Sequence, residues 1–174
     1  MSLFNLSSTL RGLRCGLASL IVLGTLSACQ VKPLYSESSP VSQNLGSIGI
    51  SEANTRVGQE VRNQLIFLTS GGAGEPSSPR YNLALQVSST VIGALYDQAG
   101  DTPQAGRIVV YADFNLTEAS TGKTLKSGRR SSVALVDFPT QEFAKVRAIR
   151  DGENRAAREL AEMIRGELAL VVSR

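Results

Sequence analysis

The stretch Ile108-Val109-Val110-Tyr111-Ala112-Asp113-Phe114-Asn115-Leu116-Thr117 decides the fold class. Ile108, Val110, Ala112, Phe114 and Leu116 alternate with Val109, Tyr111, Asp113, Asn115 and Thr117. Successive side chains of a strand point to opposite faces, so a period of two gives one apolar and one polar face. Downstream, Ser120-Thr121-Gly122-Lys123 is a turn signal, and the strand-like run Thr124 to Val136 completes a hairpin. Upstream, Tyr81, Leu83, Leu85 and Val87 alternate with Asn82, Ala84, Gln86 and Ser88. The polar stretch Asp97 to Gly106 reads as the loop joining these two strands, and the three form a meander. In its third strand Leu125, Val133 and Leu135 are assigned to the core. That parity turns Arg129 inward unless a bulge at Gly128 or the end of the sheet releases it.

Working outward, Leu45 to Ile50 is short and alternating, with Ile48 and Ile50 on one face, and predicts a first strand. A helix follows, capped by Asn54 or Thr55, with Val57, Val61, Leu65 and Leu68 as its apolar stripe and Gly71 as its stop. The glycines at 71, 72 and 74 end a helix instead of opening one, and no Gly-Lys-Ser/Thr follows, so a phosphate cradle is excluded. From about Gln141 to Val172, Phe143, Val146, Ile149, Ala156, Leu160, Ile164, Leu168 and Val171 keep helical spacing. Gly152 is a place for a kink or a break in that helix. The order β-α-β-β-β-α gives two amphipathic helices that must bury their stripes. Stacking both on one face of a four-stranded mixed sheet gives an α+β, two-layer sandwich, a single domain over residues 45–174.

The N-terminal part of the chain has a different grammar. Arg11 and Arg14 precede a twelve-residue apolar run from Cys15 to Leu26, and Leu26-Ser27-Ala28-Cys29 follows the lipobox pattern. A basic start, an apolar middle and small residues before a cysteine predict a lipoprotein signal peptide over residues 1–28, removed on maturation. A membrane-spanning helix needs about 20 apolar residues, and the run is too short. Cys29 is the predicted lipid-attachment residue, carrying a diacylglycerol thioether and an N-acyl chain such as palmitate; no other cofactor and no metal is expected. Residues 29–44, rich in Ser, Pro and polar side chains, read as a lipidated flexible tether.

Two of the 18 basic residues leave with that leader and none of the 15 acidic ones does, so the net charge falls from +3 to +1. No global charge favours nucleic acid. The chain has no His, no Gly-x-Ser-x-Gly elbow and no Ser-x-x-Lys dyad, and its carboxylates are scattered, so no enzyme activity is expected.

Taken in order, these features resemble the LPS-assembly lipoprotein family LptE, in its alphaproteobacterial form. The resemblance rests on the lipobox followed closely by Pro33-Leu34-Tyr35, on the helix segment Arg62-Asn63-Gln64-Leu65-Ile66-Phe67, on Val109-Val110-Tyr111-Ala112, and on the C-terminal run Arg155 to Arg165. It implies a non-enzymatic outer-membrane lipoprotein that plugs and supports the β-barrel LptD and assists lipopolysaccharide assembly. Gln30, in the sorting position after Cys29, is not Asp, which by likeness to other lipoproteins favours outer-membrane delivery. The domain would then lie on the periplasmic side or within the barrel lumen. The alternative is an unrelated envelope lipoprotein, such as an accessory subunit of another barrel-assembly complex or a small-ligand binder.

Under that resemblance the open face of the sheet meets a polar lumen. Asn82, Gln86, Ser88, Thr90, Tyr111, Asp113, Asn115 and Thr117 are its candidate residues, with Lys126 and Ser132 added from the third strand of the meander. The same set also describes the solvated face of an antiparallel sheet. Lys123, Lys126, Arg129 and Arg130 are candidate contacts for lipopolysaccharide phosphates, or charges that discourage edge pairing.

Overall fold

The computed structural model describes residues 39–96 and 103–173. The signal segment and Cys29 lie outside the described residues, as do the tether up to residue 38 and positions 97–102 of the expected loop. The elements run α1 (Pro40–Leu45), β1 (Ile48–Ile50), α2 (Arg56–Ser70), β2 (Tyr81–Tyr96), β3 (Pro103–Glu118), β4 (Thr124–Asp137) and α3 (Glu142–Val172). The sheet has the order β1-β2-β3-β4, with β1 parallel to β2 and the other pairs antiparallel. This is the expected α+β class, with a four-stranded mixed sheet carrying its helices on one face.

Residues 40–44, read from sequence as the end of the tether, belong to the domain. Ser39 accepts from Ser42 N at 3.1 Å and Pro40 stands at the first helical position, a combination that starts α1. Val41 and Leu45 then bury their side chains in the core. Their polar neighbours hid a helix too short to show a period. β3 begins at Pro103, inside the expected loop, so β2 and β3 run together over fifteen registered pairs, from Tyr81–Glu118 to Tyr96–Pro103.

α2 follows its sequence signals closely. Thr55, and not Asn54, caps it by accepting from Gly58 N at 3.0 Å. Gly71 ends it at φ 62°, the left-handed conformation that costs glycine no Cβ clash. Val57, Val61 and Leu65 are buried. α3 is unbroken at Gly152. A Cβ there would come within 2.5 Å of Val136 Cγ2 and 2.6 Å of Ile108 Cδ1, so the glycine marks where helix and sheet touch. Ala156, Leu160, Ile164 and Leu168 are buried as expected, joined by Ala157, Ala161 and Ala169. Small alanines at these positions let α3 lie close to the sheet and to α2. Phe143 and Val146, expected on the buried stripe, are exposed instead, because the first turns of α3 run past the end of β4.

The face of the sheet under the helices is set by register. Leu83 pairs with Leu116, Leu85 with Phe114 and Val87 with Ala112, which stacks one apolar face across β2 and β3. In β4 the expected parity holds only at the start. Leu116 pairs with Lys126 but Thr117 pairs with Thr124, leaving Leu125 as an extra residue. Leu125 packs against the core. Beyond that irregularity the parity is reversed, so Ser132, Ala134 and Val136 are buried while Val133 and Leu135 stay 50% and 74% exposed. The bulge expected at Gly128 lies next to the turn instead, and Arg129 faces outward.

Candidate interaction face

With one side of the sheet covered by helices, the other presents alternate residues of three long strands. Cross-strand register places all eight candidate residues of β2 and β3 together. Asn82 stands opposite Thr117, Gln86 opposite Asp113, Ser88 opposite Tyr111 and Thr90 opposite Val109. Asn115 lies between Ala84 of β2 and Ser127 of β4, and its Oδ1 is buried without a hydrogen-bond partner. Lys126 and Ser132, assigned to this face from sequence, are on the other one. Ser132 donates to Glu159 Oε2 at 2.8 Å, and Lys126 Nζ lies 3.6 Å from Glu167 Oε2, both glutamates belonging to α3. The reversed parity of β4 is the cause.

The basic cluster of the hairpin is divided in the same way. Arg129 is on the open face, opposite Asp113, and donates to it from Nε at 2.7 Å and from Nη2 at 2.6 Å. The Arg129 hydrogen bond holds the Asp113 carboxyl below its ordinary value of 3.8; desolvation opposes it, and the Arg129 charge adds to the lowering. The hydrogen bonds that Arg129 donates to Asp113 in turn raise the Arg129 pKa. Arg130 faces the helices and pairs, like Lys126, with Glu167. Lys123 is exposed in the β3–β4 turn, where its carbonyl accepts from Glu118 N at 2.9 Å. The four cations therefore do not converge on one phosphate-sized point. Arg129 and Arg130 are neighbours in sequence and stand on opposite faces.

Half of the open face was missed by sequence reasoning. Past Thr90 and Val109 it turns apolar, with Ile92, Ala94, Ala105, Val133 and Leu135 around Arg107. Val109 is buried although it points away from the helices. A groove of about 550 Å³ opens there, lined by Ile92, Leu95, Arg107, Leu135 and Asp137 among others. The consecutive pair Val91-Ile92 was the available signal, since neighbours on a strand cannot both face one core. Among the described residues no group of three or more His, Cys, Asp or Glu is placed to hold a metal.

Among solved structures the chain is similar to one from Caulobacter crescentus CB15 described as a candidate lipoprotein. The identity is 26% and the TM-score 0.65, over 76% of this chain and 96% of that one. It is also similar to the minor lipoprotein of Acinetobacter baumannii, at 12% identity and a TM-score of 0.53 over 71% of this chain and 88% of that one, a likeness of fold alone. No protein-family model and no curated protein matches the chain.

The open face is thus graded. Its half nearest the β3–β4 turn is polar and neutralised internally by Asp113 and Arg129. Its other half is apolar around Arg107, with Asp137 of β4 lining the same groove. Such a surface can form many hydrogen bonds to a polar partner.

Proposed function

We propose that the chain is an envelope lipoprotein, anchored through Cys29, whose domain acts as a non-enzymatic subunit of a large outer-membrane β-barrel of the LptD type. In that role it sits in or against the barrel lumen, supports the barrel and assists delivery of lipopolysaccharide to the outer-membrane surface. The observation that carries this reading is the polar half of the open sheet face. Eight hydrogen-bonding side chains from two strands lie on one side of the sheet, with the helices stacked on the other. A lumen lined by polar residues asks for a surface of that kind. The likeness to a lipoprotein domain over nearly that domain's whole length supports the coarser part, an envelope lipoprotein.

The anchor has its own test. Cys29→Ala should leave an unprocessed precursor that incorporates no radiolabelled palmitate, and normal incorporation would sink the assignment. For the barrel, mild detergent extraction and affinity purification of tagged protein should recover a very large β-barrel in near-equal amount. Recovery without one would favour the second reading, a small-ligand-binding lipoprotein, which the groove of about 550 Å³ recommends.

A further inference from the structure

The two edges of the sheet are built differently. β4 forms one of them, with Lys126, Arg129 and Arg130 along its length. Guanidinium groups also cover two of its outward carbonyls. Arg130 Nη1 donates to Arg129 O at 2.7 Å, and Arg155 Nη2, from α3, donates to Leu135 O at 3.1 Å. Charges and caps of this kind keep a strand edge from pairing with another chain.

The other edge is β1, which is three residues long and covers β2 only at Tyr81, Asn82 and Leu83. Just past it Ser51 N donates to Leu83 O at 2.9 Å, and Leu85 N donates to Ser51 Oγ at 3.0 Å. The odd-numbered residues of β2 therefore turn their N–H and C=O away from β3. The register with β3 runs unshifted from Tyr81 to Ala94, so that parity holds through Gly93. Glu52 to Thr55 line a groove with β2 as far as Val87. Beyond it the outward groups of Ser89, Val91 and Gly93 meet no strand among the described residues. The sixteen residues of β2 include no charged side chain and no proline. Val91 and Ile92 are both exposed, one on each face. A row of backbone donors and acceptors at strand spacing is complementary to another strand.

We propose that β2 pairs antiparallel with β2 of a second copy, from Val87 to Gly93, about a two-fold axis at Thr90. The two four-stranded sheets then become one. In this register Ser89 meets Val91, and Val87 meets Gly93, through their outward backbone groups. A register shifted toward the hairpin would draw in Leu95, whose φ of 52° departs from strand geometry. The neighbouring charges do not oppose the contact. Arg56 and Glu153, at the rim of the helical layer, pair with each other, and Ser89 Oγ donates to Glu153 Oε1 at 2.7 Å. The two Glu52 side chains fall at opposite ends of the paired segment. Arg107 lies one strand in, opposite Ile92. Its strand and that of its counterpart are three spacings apart, about 14 Å, beyond the screening length of about 8 Å at physiological salt. Because β4 is guarded, the contact closes as a dimer and does not propagate. The chain's own segment 30–38 is a poor strand for this edge, since it carries Lys32, Pro33 and Glu37. The proposal goes beyond the barrel reading and does not rest on it.

An introduced cysteine reports the pairing in full-length protein, purified in mild detergent and briefly oxidised. In Thr90→Cys the two thiols face each other across a non-hydrogen-bonded pair, where Cα atoms are about 4.5 Å apart and a disulfide fits. Disulfide-linked dimer should form several-fold above the background of the unmutated chain, which carries Cys15 and Cys29. Ser131→Cys, on the guarded β4 edge, should stay at that background. Adding Val91→Lys to Thr90→Cys should return it there with the circular dichroism unchanged. No excess at Thr90, or equal cross-linking at Ser131, would overturn the proposal. So would a Thr90 cross-link, in oxidised intact cells, to a different polypeptide in place of a second copy. The purified protein contains no barrel, so failure of self-pairing and failure of the barrel reading are separate results.

Discussion

Arg129 reaches across from β4 to close on Asp113 of β3 with two parallel hydrogen bonds, at 2.7 and 2.6 Å. The pair sits at the centre of the open sheet face, and each partner favours the other's charged form. Arg129→Ala should let the Asp113 pKa rise back toward 3.8, which carboxyl-carbon NMR titration reads directly. Because the folded-state pKa is depressed, the contribution of Asp113 to stability is complete above the unfolded value. It is lost as pH falls through the folded one. Acid unfolding of Arg129→Ala should therefore show a shallower dependence on pH in the region below 3.8. An unchanged Asp113 titration would mean that the pair does not persist in solution.

Gly152 offers a sharper test of packing. Alanine is the better helix former by about 1 kcal/mol, and in an open helix the substitution would stabilise. Here the added Cβ meets Val136 Cγ2 at 2.5 Å and Ile108 Cδ1 at 2.6 Å. Overpacking of that kind costs about 1–3 kcal/mol, so Gly152→Ala should be destabilising on balance in urea melts. Val136→Ala in the same chain should recover part of the loss, since it removes the clashing methyl. A stabilised Gly152→Ala would show that α3 stands farther from the sheet.

The fold was legible where one period ran long enough to be counted. The alternation from Ile108 to Thr117 and the stripe from Ala156 to Leu168 each gave the right face. Two kinds of information were not local. Residues 40–45 make a single helical turn and a half, held by what Val41 and Leu45 touch, and no period exists in six residues. In β4 both parities are apolar near the end, since Val133, Ala134, Leu135 and Val136 are consecutive. Only the extra residue at Leu125 decides which parity is buried, and that depends on pairing with β3. The candidate site inherited the same split. Its β2 and β3 members were placed on the open face by their alternation, whereas Lys126 and Ser132 on β4 were put on the wrong side.

That reversal predicts an ordering of substitutions that sequence alone would invert. Val136→Ala removes a buried side chain and should cost about 1–3 kcal/mol. Leu135→Ala removes a larger one that is mostly in water, and its effect should stay within about 0.5 kcal/mol. Urea denaturation of the two variants separates the parities. A Leu135→Ala cost larger than that of Val136→Ala would restore the original assignment and remove the bulge at Leu125.

Lys126 and Arg130 flank Glu167, whose side chain is only 16% exposed, on the helix side of β4. Arg130 pairs with Glu167 Oε1, and Lys126 answers the buried Oε2 only by charge, at 3.6 Å. Glu167→Ala leaves two cations facing each other with no carboxylate between them. The loss should fall between the limits for surface and buried pairs, about 1–3 kcal/mol. Replacing both cations by alanine in the same variant should return part of it. The same geometry separates stability from ligand binding in this cluster. Alanine at Lys126 and Arg130 should lower the melting midpoint, whereas Lys123→Ala, exposed in its turn, should not move it. If the purified domain binds lipopolysaccharide through the hairpin, Lys123→Ala weakens that binding at unchanged stability. Weakening only in variants that also melt early would trace the effect to the loss of the Glu167 contact and not to a phosphate.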